Sequence, residues 1–354
     1  MEQRALVSTR KGLFIYARDG RIWRLAQSHF AGSPVTLALA DPRDGTLYAA
    51  LNLGHFGPKL HRSDDRGETW REISVPAFPK GESYPALKQV WALEAGGADE
   101  PGQLWAGGIP AGLFVSNDRG ANWRLIDSLW NVPGRERWFG GGYDDAGIHS
   151  ILVDPRNSAH VTVGISCGGV WHTADRGHTW APRTEGMYAA YVPPEQKYDN
   201  AVQDPHRVAR CGAHPDSLWI QHHNGVFRSS DGARQWSELL PPVSNFGFAV
   251  AAHPKDPLTA WFVPAHSDQR REPVDAALVV NRTRDGGRTF ETLRAGLPAP
   301  AYDLVYRHGL DVDEEGECLA MGSTTGGLWF SVDAGESWQL EPARLPPIYA
   351  VRMY

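Results

Sequence analysis

Ser63-Asp-Asp-Arg-Gly-Glu-Thr-Trp70 is the stretch of sequence that decides the fold, because it recurs along the chain. Five further copies end in an aromatic residue: SNDRGANW at 116–123, TADRGHTW at 173–180, SSDGARQW at 229–236, TRDGGRTF at 283–290 and SVDAGESW at 331–338. A degenerate copy, ARDGRIW, occupies 17–23, and the central aspartates of successive copies are 46 to 57 residues apart. Self-similarity at this period, built from short strand-like segments, is typical of β-propeller blades.

The repeated signature has the chemistry of a tight hairpin. Its hydroxyl and carboxylate groups can accept hydrogen bonds from backbone N–H groups in a turn, and its glycine adopts a backbone conformation closed to other residues. The aromatic residue can then bury a large flat surface against the neighbouring sheet. The copy at 229–236 has Ala233 at the glycine position, so we expect its turn to be shifted. We interpret the aspartates of the signature as structural and not catalytic.

Each repeat is predicted to form a four-stranded blade in which the signature joins the third strand to the fourth. Alternating apolar and polar residues between Gly, Asp and Pro breaks support strands throughout the chain. The strands of the second blade are predicted at 35–40, 46–51, 59–63 and 69–73.

The first blade lacks its innermost strand, because the chain begins with a second strand at 5–9, followed by strands at 12–17 and 22–26. The segment 348–354 follows the final signature and is predicted to supply the missing strand, which removes exposed sheet edges. The sequence therefore predicts an all-β protein with one domain, residues 1–354. Its fold is a seven-bladed β-propeller of four-stranded blades, with the ring closed by the C-terminal strand completing the N-terminal blade.

Composition restricts the partners and the compartment. The net charge of −6, with 35 basic and 41 acidic residues, argues against nucleic acid as a partner. No stretch approaches the ~18 apolar residues of a membrane span, and the N-terminus lacks the apolar core of a signal peptide. The three cysteines fall in separate blades, which favours reduced thiols over a disulfide framework. We expect a cytoplasmic protein.

Long loops and histidines converge on the face opposite the hairpin signatures. The loops predicted there are 75–88, 127–147, 184–205 and 265–275, and long loops on a rigid scaffold often carry functional sites. His149 and His206 open the innermost strands of the fourth and fifth blades, and His222 and His223 end the second strand of the fifth. Because neighbouring residues of a strand alternate, one of that pair faces the channel, and we favour His223.

His149, His206 and His223 are the candidate ligands of a divalent transition metal, since imidazole suits several such ions. Gln221, Asp268 and Glu136 are candidates for a further ligand or for a group that orients a ligand. The alternative is that these histidines only make hydrogen bonds within their loops.

The same face carries candidate groups for substrate binding and catalysis. Arg135, Arg137 and Trp138, with His55 and Arg10, are candidate contacts for a small polar substrate, and paired guanidinium groups would bind an anionic group. Solvated ion pairs within the loop are the alternative for the arginines. The candidate catalytic residues are Glu136, Asp268 and Tyr198.

The whole chain resembles a group of bacterial BNR or Asp-box repeat propellers described as sialidase-like or as glycosyl hydrolases. The resemblance is carried by STRKGLF at 8–14, HFAG at 29–32, GHFGP at 54–58, LWNVP at 129–133, RERWF at 135–139, HSI at 149–151, QHHNGVF at 221–227 and SD at 267–268. It implies that His149, His206 and His223 occupy the histidine positions of the group. A sialidase would also carry a Phe-Arg-Ile-Pro segment near its N-terminus, where this chain has AGSP at 31–34, so sialidase activity is not expected.

Three functions remain open from the sequence. The first is a metal-assisted hydrolase or lyase acting on a small, carbohydrate-like substrate. The second is a non-catalytic propeller that binds a partner or assists assembly. The third is a metal-free glycosidase that uses paired carboxylates, drawn from Glu136, Asp145, Glu195 and Asp268.

Overall fold

The computed structural model describes residues 3–81, 84–140 and 143–354. Within these ranges the chain forms seven four-stranded antiparallel sheets, the blades of a seven-bladed β-propeller, as predicted. The chain divides into two compact units, one of Met1–Gly32 with His206–Tyr354 and one of Ser33–Pro205. In the described ranges no helix is both long enough and apolar enough to span a membrane.

Blades 2 to 4 belong to the unit Ser33–Pro205. From the innermost strand outward, blade 2 consists of Val35–Ala40, Leu47–Asn52, Pro58–Ser63 and Arg71–Ile73. Blade 3 consists of Gln89–Ala95, Leu104–Ile109, Leu113–Ser116 and Arg124–Leu125. Blade 4 consists of Ile148–Val153, Val161–Ile165, Gly169–Thr173 and Ala181–Pro182. The loops of this unit contain the α-helix Asp127–Trp130 and the 3₁₀ helices Gly54–Phe56, Arg135–Arg137, Pro194–Gln196 and Asn200–Val202.

The other unit holds blades 1, 5, 6 and 7. In the same order, blade 1 consists of Ile348–Met353, Arg4–Thr9, Gly12–Asp19 and Ile22–His29, and blade 5 of Pro205–Arg210, Leu218–His222, Gly225–Ser229 and Ser237–Leu239. Blade 6 consists of Gly247–Ala252, Ala260–Pro264, Val280–Thr283 and Glu291–Leu293. Blade 7 consists of Leu310–Val312, Leu319–Gly322, Leu328–Ser331 and Gln339–Leu340. One 3₁₀ helix, Val274–Ala276, is described in this unit.

The C-terminal strand completes the first blade, as predicted. Ile348–Met353 pairs antiparallel with Arg4–Thr9, and Val351 lies opposite Val7. The side chain of Val351 is buried in the same apolar cluster as Val7 and Tyr16. The strand therefore contributes both backbone hydrogen bonds and apolar contacts to blade 1.

The repeated signature forms the hairpin between the third and fourth strands of each blade that carries it. In blade 2 the backbone N–H of Gly67 donates to the Ser63 hydroxyl (2.8 Å), and that hydroxyl donates to the Asp65 carboxylate (2.7 Å). The other partner of Asp65 is Thr69, which donates its N–H (2.9 Å) and its hydroxyl (2.6 Å). Because Thr69 belongs to this turn, the fourth strand begins at Arg71, two residues later than predicted.

The expected shift of the turn at Ala233 is wrong. The Ala233 N–H donates to the Ser229 hydroxyl at 3.0 Å, as glycine does in the other copies, and Gln235 N–H donates to Asp231 at 3.0 Å. Ala233 adopts the left-handed conformation itself, with φ of 68°. This conformation costs a non-glycine residue about 1–2 kcal/mol, and the intact hydrogen bonds of the hairpin hold it there.

The hairpin aspartates predict an acid-sensitive element of stability. Hydrogen bonds from Thr69 lower the pKa of Asp65 to about 2, and those from Thr289 lower the pKa of Asp285 to about 2, from an ordinary value near 3.8. A lowered folded-state pKa stabilises the fold above the unfolded pKa, and this stabilisation is lost as the pH falls from about 4 to about 2. Urea unfolding of the native protein and of Asp65→Ala should show a stability difference at pH 6 that shrinks toward pH 2.5. A difference that does not change with pH would contradict this prediction.

Candidate functional site

Two histidines of blade 5 lie side by side. His206 is buried in the innermost strand, and His223 follows the second strand directly. Their ring centroids are 5.5 Å apart. Asp204 is separated from His206 by one residue, and the possible ligand atoms of these three residues all lie within 4.8 Å of one another. Within the described ranges, these three residues form a group that could hold a metal ion.

Hydrogen bonds orient two members of this group. His206 Nδ1 lies 2.6 Å from the carbonyl oxygen of Gly247. A carbonyl oxygen only accepts, so Nδ1 carries the proton and the lone pair of the neutral imidazole is on Nε2. Metal-binding histidines usually donate their other ring N–H in this way. The Asp204 carboxylate accepts the backbone N–H of Cys167 at 3.1 Å.

Two phenylalanines enclose the imidazoles. The His206 ring stacks on Phe248 with a centroid distance of 4.5 Å and an interplanar angle of 14°. Phe246 contacts both imidazoles edge-on, at 5.7 Å from each. Both phenylalanines are buried. The rings hold the imidazoles in place and exclude water from one side of them.

Two arginines, Arg271 and Arg307, lie close to the ring of Phe248. Their guanidinium carbons lie 5.5 and 5.4 Å from the centroid of Phe248. Burial alone would lower the pKa of Arg271, but the Asp268 carboxylate and the Tyr306 hydroxyl outweigh it and raise the pKa. Asp268, one of the predicted catalytic residues, therefore lies in an ion pair with Arg271.

The sequence interpretation missed Asp204, Arg271 and Arg307. Asp204 could have been found, because a carboxylate two residues before a candidate histidine ligand lies close to it in any backbone conformation. The pair Arg270-Arg271 lies in the predicted long loop 265–275 and was a signal for cationic groups there. Nothing in the sequence around Arg307 distinguishes it from other arginines.

His149, the third predicted metal ligand, lies in the unit Ser33–Pro205. It is buried, its Nδ1 is 2.9 Å from the Ser150 hydroxyl, and its ring contacts Trp91 edge-on at 5.7 Å. His222 is also buried, and its Nδ1 accepts the backbone N–H of Asn224 at 3.1 Å. The metal-binding role of His149 stays a prediction.

Arg135 of the predicted arginine site lies close to two tryptophans. The Arg135 guanidinium carbon lies 3.3 Å from the centroid of Trp130 and 5.5 Å from that of Trp138. Burial lowers the pKa of Arg135 to about 10. Arg137 forms an ion pair with Asp199. The substrate-binding roles of these residues stay predictions.

The remaining predicted site residues are exposed. These are Arg10, His55, Glu136 and Tyr198. The Tyr198 ring lies 5.3 Å from the Lys197 ammonium group. Their catalytic and substrate-binding roles also stay predictions.

The fold and the histidine pair define the class: a seven-bladed β-propeller with an imidazole–carboxylate group at the start of its fifth blade. No family model matches the chain. It is 31% identical over 338 residues to the oligoxyloglucan-reducing end-specific xyloglucanase of Emericella nidulans, a match that covers 84% of this chain and 38% of that protein. The chain thus spans less than two-fifths of the length of that enzyme.

A second relative is named as an assembly protein and not as an enzyme. The photosystem II assembly lipoprotein Ycf48 of a Synechococcus species is 22% identical over 265 residues, covering 66% of this chain and 71% of that protein. Among solved structures, the GH74 xyloglucanase from Xanthomonas campestris superposes with a TM-score of 0.63 at 19% identity, covering 96% of this chain and 55% of that one. This structural likeness shows the fold.

Proposed function

We propose that the protein is a metal-assisted hydrolase acting on a carbohydrate-like substrate. The observation that carries the proposal is the group of Asp204, His206 and His223, whose possible ligand atoms lie within 4.8 Å of one another. The xyloglucanase relative, whose name states a polysaccharide substrate, supports both the reaction class and the kind of substrate.

The donor set suits a catalytic metal. Two imidazoles and one carboxylate form a common ligand set for Zn²⁺ and other transition metals, and they leave a coordination position for water or substrate. His206 is already in the required tautomer, because Gly247 holds the proton on Nδ1. A bound metal would lower the pKa of a coordinated water or polarise an oxygen of the substrate.

The surrounding residues would position these ligands. Phe248 fixes the plane of the His206 ring by stacking, and Phe246 restricts both imidazoles from the side. Cys167 holds the Asp204 carboxylate through its backbone N–H. Orientation by such neighbours usually contributes 10- to 100-fold to metal affinity.

Metal analysis of untagged protein, combined with a hydrolysis assay, tests the proposal. We expect about one equivalent of a divalent transition metal per chain. Reducing ends should be released from xyloglucan or related oligosaccharides, and a chelator should abolish this release until the metal is restored. Protein that binds no metal at micromolar concentration and hydrolyses none of the saccharides would contradict the proposal.

A second candidate is a non-catalytic propeller that assists assembly. The match to the photosystem II assembly lipoprotein covers 71% of that protein, a larger share than the 38% of the xyloglucanase. This candidate predicts that protein loaded with metal hydrolyses no saccharide and instead forms a stable complex with a protein partner.

A metal-free glycosidase has less support from the carboxylates. Asp145 forms an ion pair with Lys88, and Asp268 forms one with Arg271. A glycosidase of this kind needs two carboxylates that flank the scissile bond, and each of these two is instead bound to a basic side chain. Hydrolysis that persists after complete removal of metal would favour this third candidate.

A further inference from the structure

We propose that Arg135, which lies against Trp130 and beside Trp138, binds the carboxylate group of a small molecule that carries one negative charge. These three residues belong to the unit Ser33–Pro205, and none of them is a member of the candidate metal group. The inference therefore goes beyond the proposed function and does not depend on it. The juxtaposition that carries it is a guanidinium group stacked on an indole ring, with its positive charge unpaired within the described ranges.

Arg135 and its neighbour Arg137 differ in their partners. Arg137 forms an ion pair with Asp199. The Nε atom of Arg135 is buried without a hydrogen-bond partner, and none of the hydrogen bonds or ion pairs of residues 3–81, 84–140 and 143–354 involves its guanidinium group. Of the two arginines in this loop, only Arg135 therefore has N–H donors that remain available to a ligand.

The stacking on Trp130 decides how a ligand can approach Arg135. The guanidinium carbon lies 3.3 Å from the centroid of the Trp130 ring, so the indole covers one face of the planar group. The N–H donors of a guanidinium group lie in its plane, and they point past the ring and not into it. A carboxylate fits this edge, because its two oxygens accept two parallel hydrogen bonds from the guanidinium fork.

Burial strengthens the expected interaction. It lowers the pKa of Arg135 to about 10, because the charged form has lost part of its hydration and no bound carboxylate restores it. Charge-assisted hydrogen bonds are stronger in such a partly dehydrated place than in water. A carboxylate from outside the chain would supply the compensation that the described residues do not.

The neighbouring charges favour a ligand with a single negative charge. Asp145 acts on Arg135 electrostatically and raises its pKa, and Asp145 is itself paired with Lys88. Arg137 is paired with Asp199. A ligand with two negative charges would be repelled by Asp145, and both of these nearby cations are already neutralised. A carboxylate therefore suits the site better than a phosphate group does.

Packing holds both indoles in place before any ligand binds. The Trp130 ring lies 4.7 Å from that of Phe78, and the Trp138 ring lies 5.8 Å from that of the buried Trp171. Gly168 packs so closely on Trp138 that a Cβ atom there would lie 3.2 Å from the indole. Such pre-organisation reduces the cost of binding. The aromatic surroundings suit a carboxylate attached to an uncharged ring, which an aromatic acid and a sugar acid both have.

Calorimetric titration with benzoate and with glucuronate, each against its neutral analogue benzamide or glucose, tests the inference. We expect the native protein to bind the acid of at least one pair about tenfold or more tightly than its neutral analogue. The more tightly bound acid identifies the ring that the site takes. Arg135→Gln should remove the preference for the acid. Arg137→Gln is the matched control, because Arg137 is 52% exposed and already paired, and it should leave the preference unchanged.

Arg135→Lys tests the inference if the glutamine variant disturbs the packing around Trp130. It retains the positive charge and loses the planar fork, so it should bind the acid more weakly than the native protein and more tightly than Arg135→Gln. Equal binding of both acids and their neutral analogues would overturn the proposal. A preference that survives Arg135→Gln would also overturn it, because the carboxylate would then bind elsewhere, for example at a metal. Tighter Arg135-dependent binding of inorganic phosphate than of either acid would exclude a carboxylate as the ligand.

Discussion

Val351→Asp is expected to unfold blade 1. Val351 is 4% exposed, lies opposite Val7 in the closing strand and packs in an apolar cluster. An unpaired carboxylate at such a position typically costs about 3–5 kcal/mol, which is a large part of the total stability of about 5–15 kcal/mol that folded domains have. Urea unfolding followed by tryptophan fluorescence should show a much lower midpoint, or no folded baseline.

Leu340→Asp is the matched control for this substitution. Leu340 is 57% exposed in the outermost strand of blade 7, so the same chemical change there should cost less than about 0.5 kcal/mol. Equal stability of Val351→Asp and Leu340→Asp would show that the C-terminal strand is not needed to complete blade 1.

His206→Ala and His223→Ala are each expected to weaken metal binding by at least about 100-fold. The loss of a neighbour that orients a ligand already costs 10- to 100-fold, and each of these substitutions would remove a ligand itself. Titration of metal-free protein with Zn²⁺, followed by calorimetry, measures the change. Hydrolysis of saccharides should fall with metal occupancy.

Two further variants keep this prediction falsifiable if His206→Ala disturbs the packing around Phe248. Asp204→Asn preserves the shape of the side chain and removes only its charge, so it should weaken Zn²⁺ binding while the protein stays folded. His214 is exposed and lies outside the group, so His214→Ala should bind Zn²⁺ as the native protein does. Unchanged Zn²⁺ binding by His223→Ala and Asp204→Asn would exclude these residues as ligands.

The strand positions predicted for the second blade agree closely with the structure. The innermost strand of blade 2 was predicted at 35–40 and is Val35–Ala40 in the structure. The fourth strand begins later than predicted because the turn takes up Thr69. The turn at Ala233 was predicted wrongly from the residue type. The hydrogen bonds of the hairpin, and not the side chain, determine the backbone conformation of Ala233.

The candidate site was predictable only in part. His206 and His223 were selected because they begin and end strands at one edge of blade 5, and the structure places their rings 5.5 Å apart. The charges that surround them were missed. Arg307 is about one hundred residues further along the chain than His206, and no short-range pattern relates the two.

The sequence by itself determined the number of blades, the hairpin in each and the strand that completes the first blade. It could do so because a hairpin depends on contacts among about eight consecutive residues, and these recur in seven copies. Only the tertiary structure decided which groups surround His206. Its tautomer depends on the carbonyl group of Gly247, 41 residues away, and its stacking partner is Phe248 of the next blade. Such contacts depend on how neighbouring sheets pack, and packing joins residues that the chain order separates.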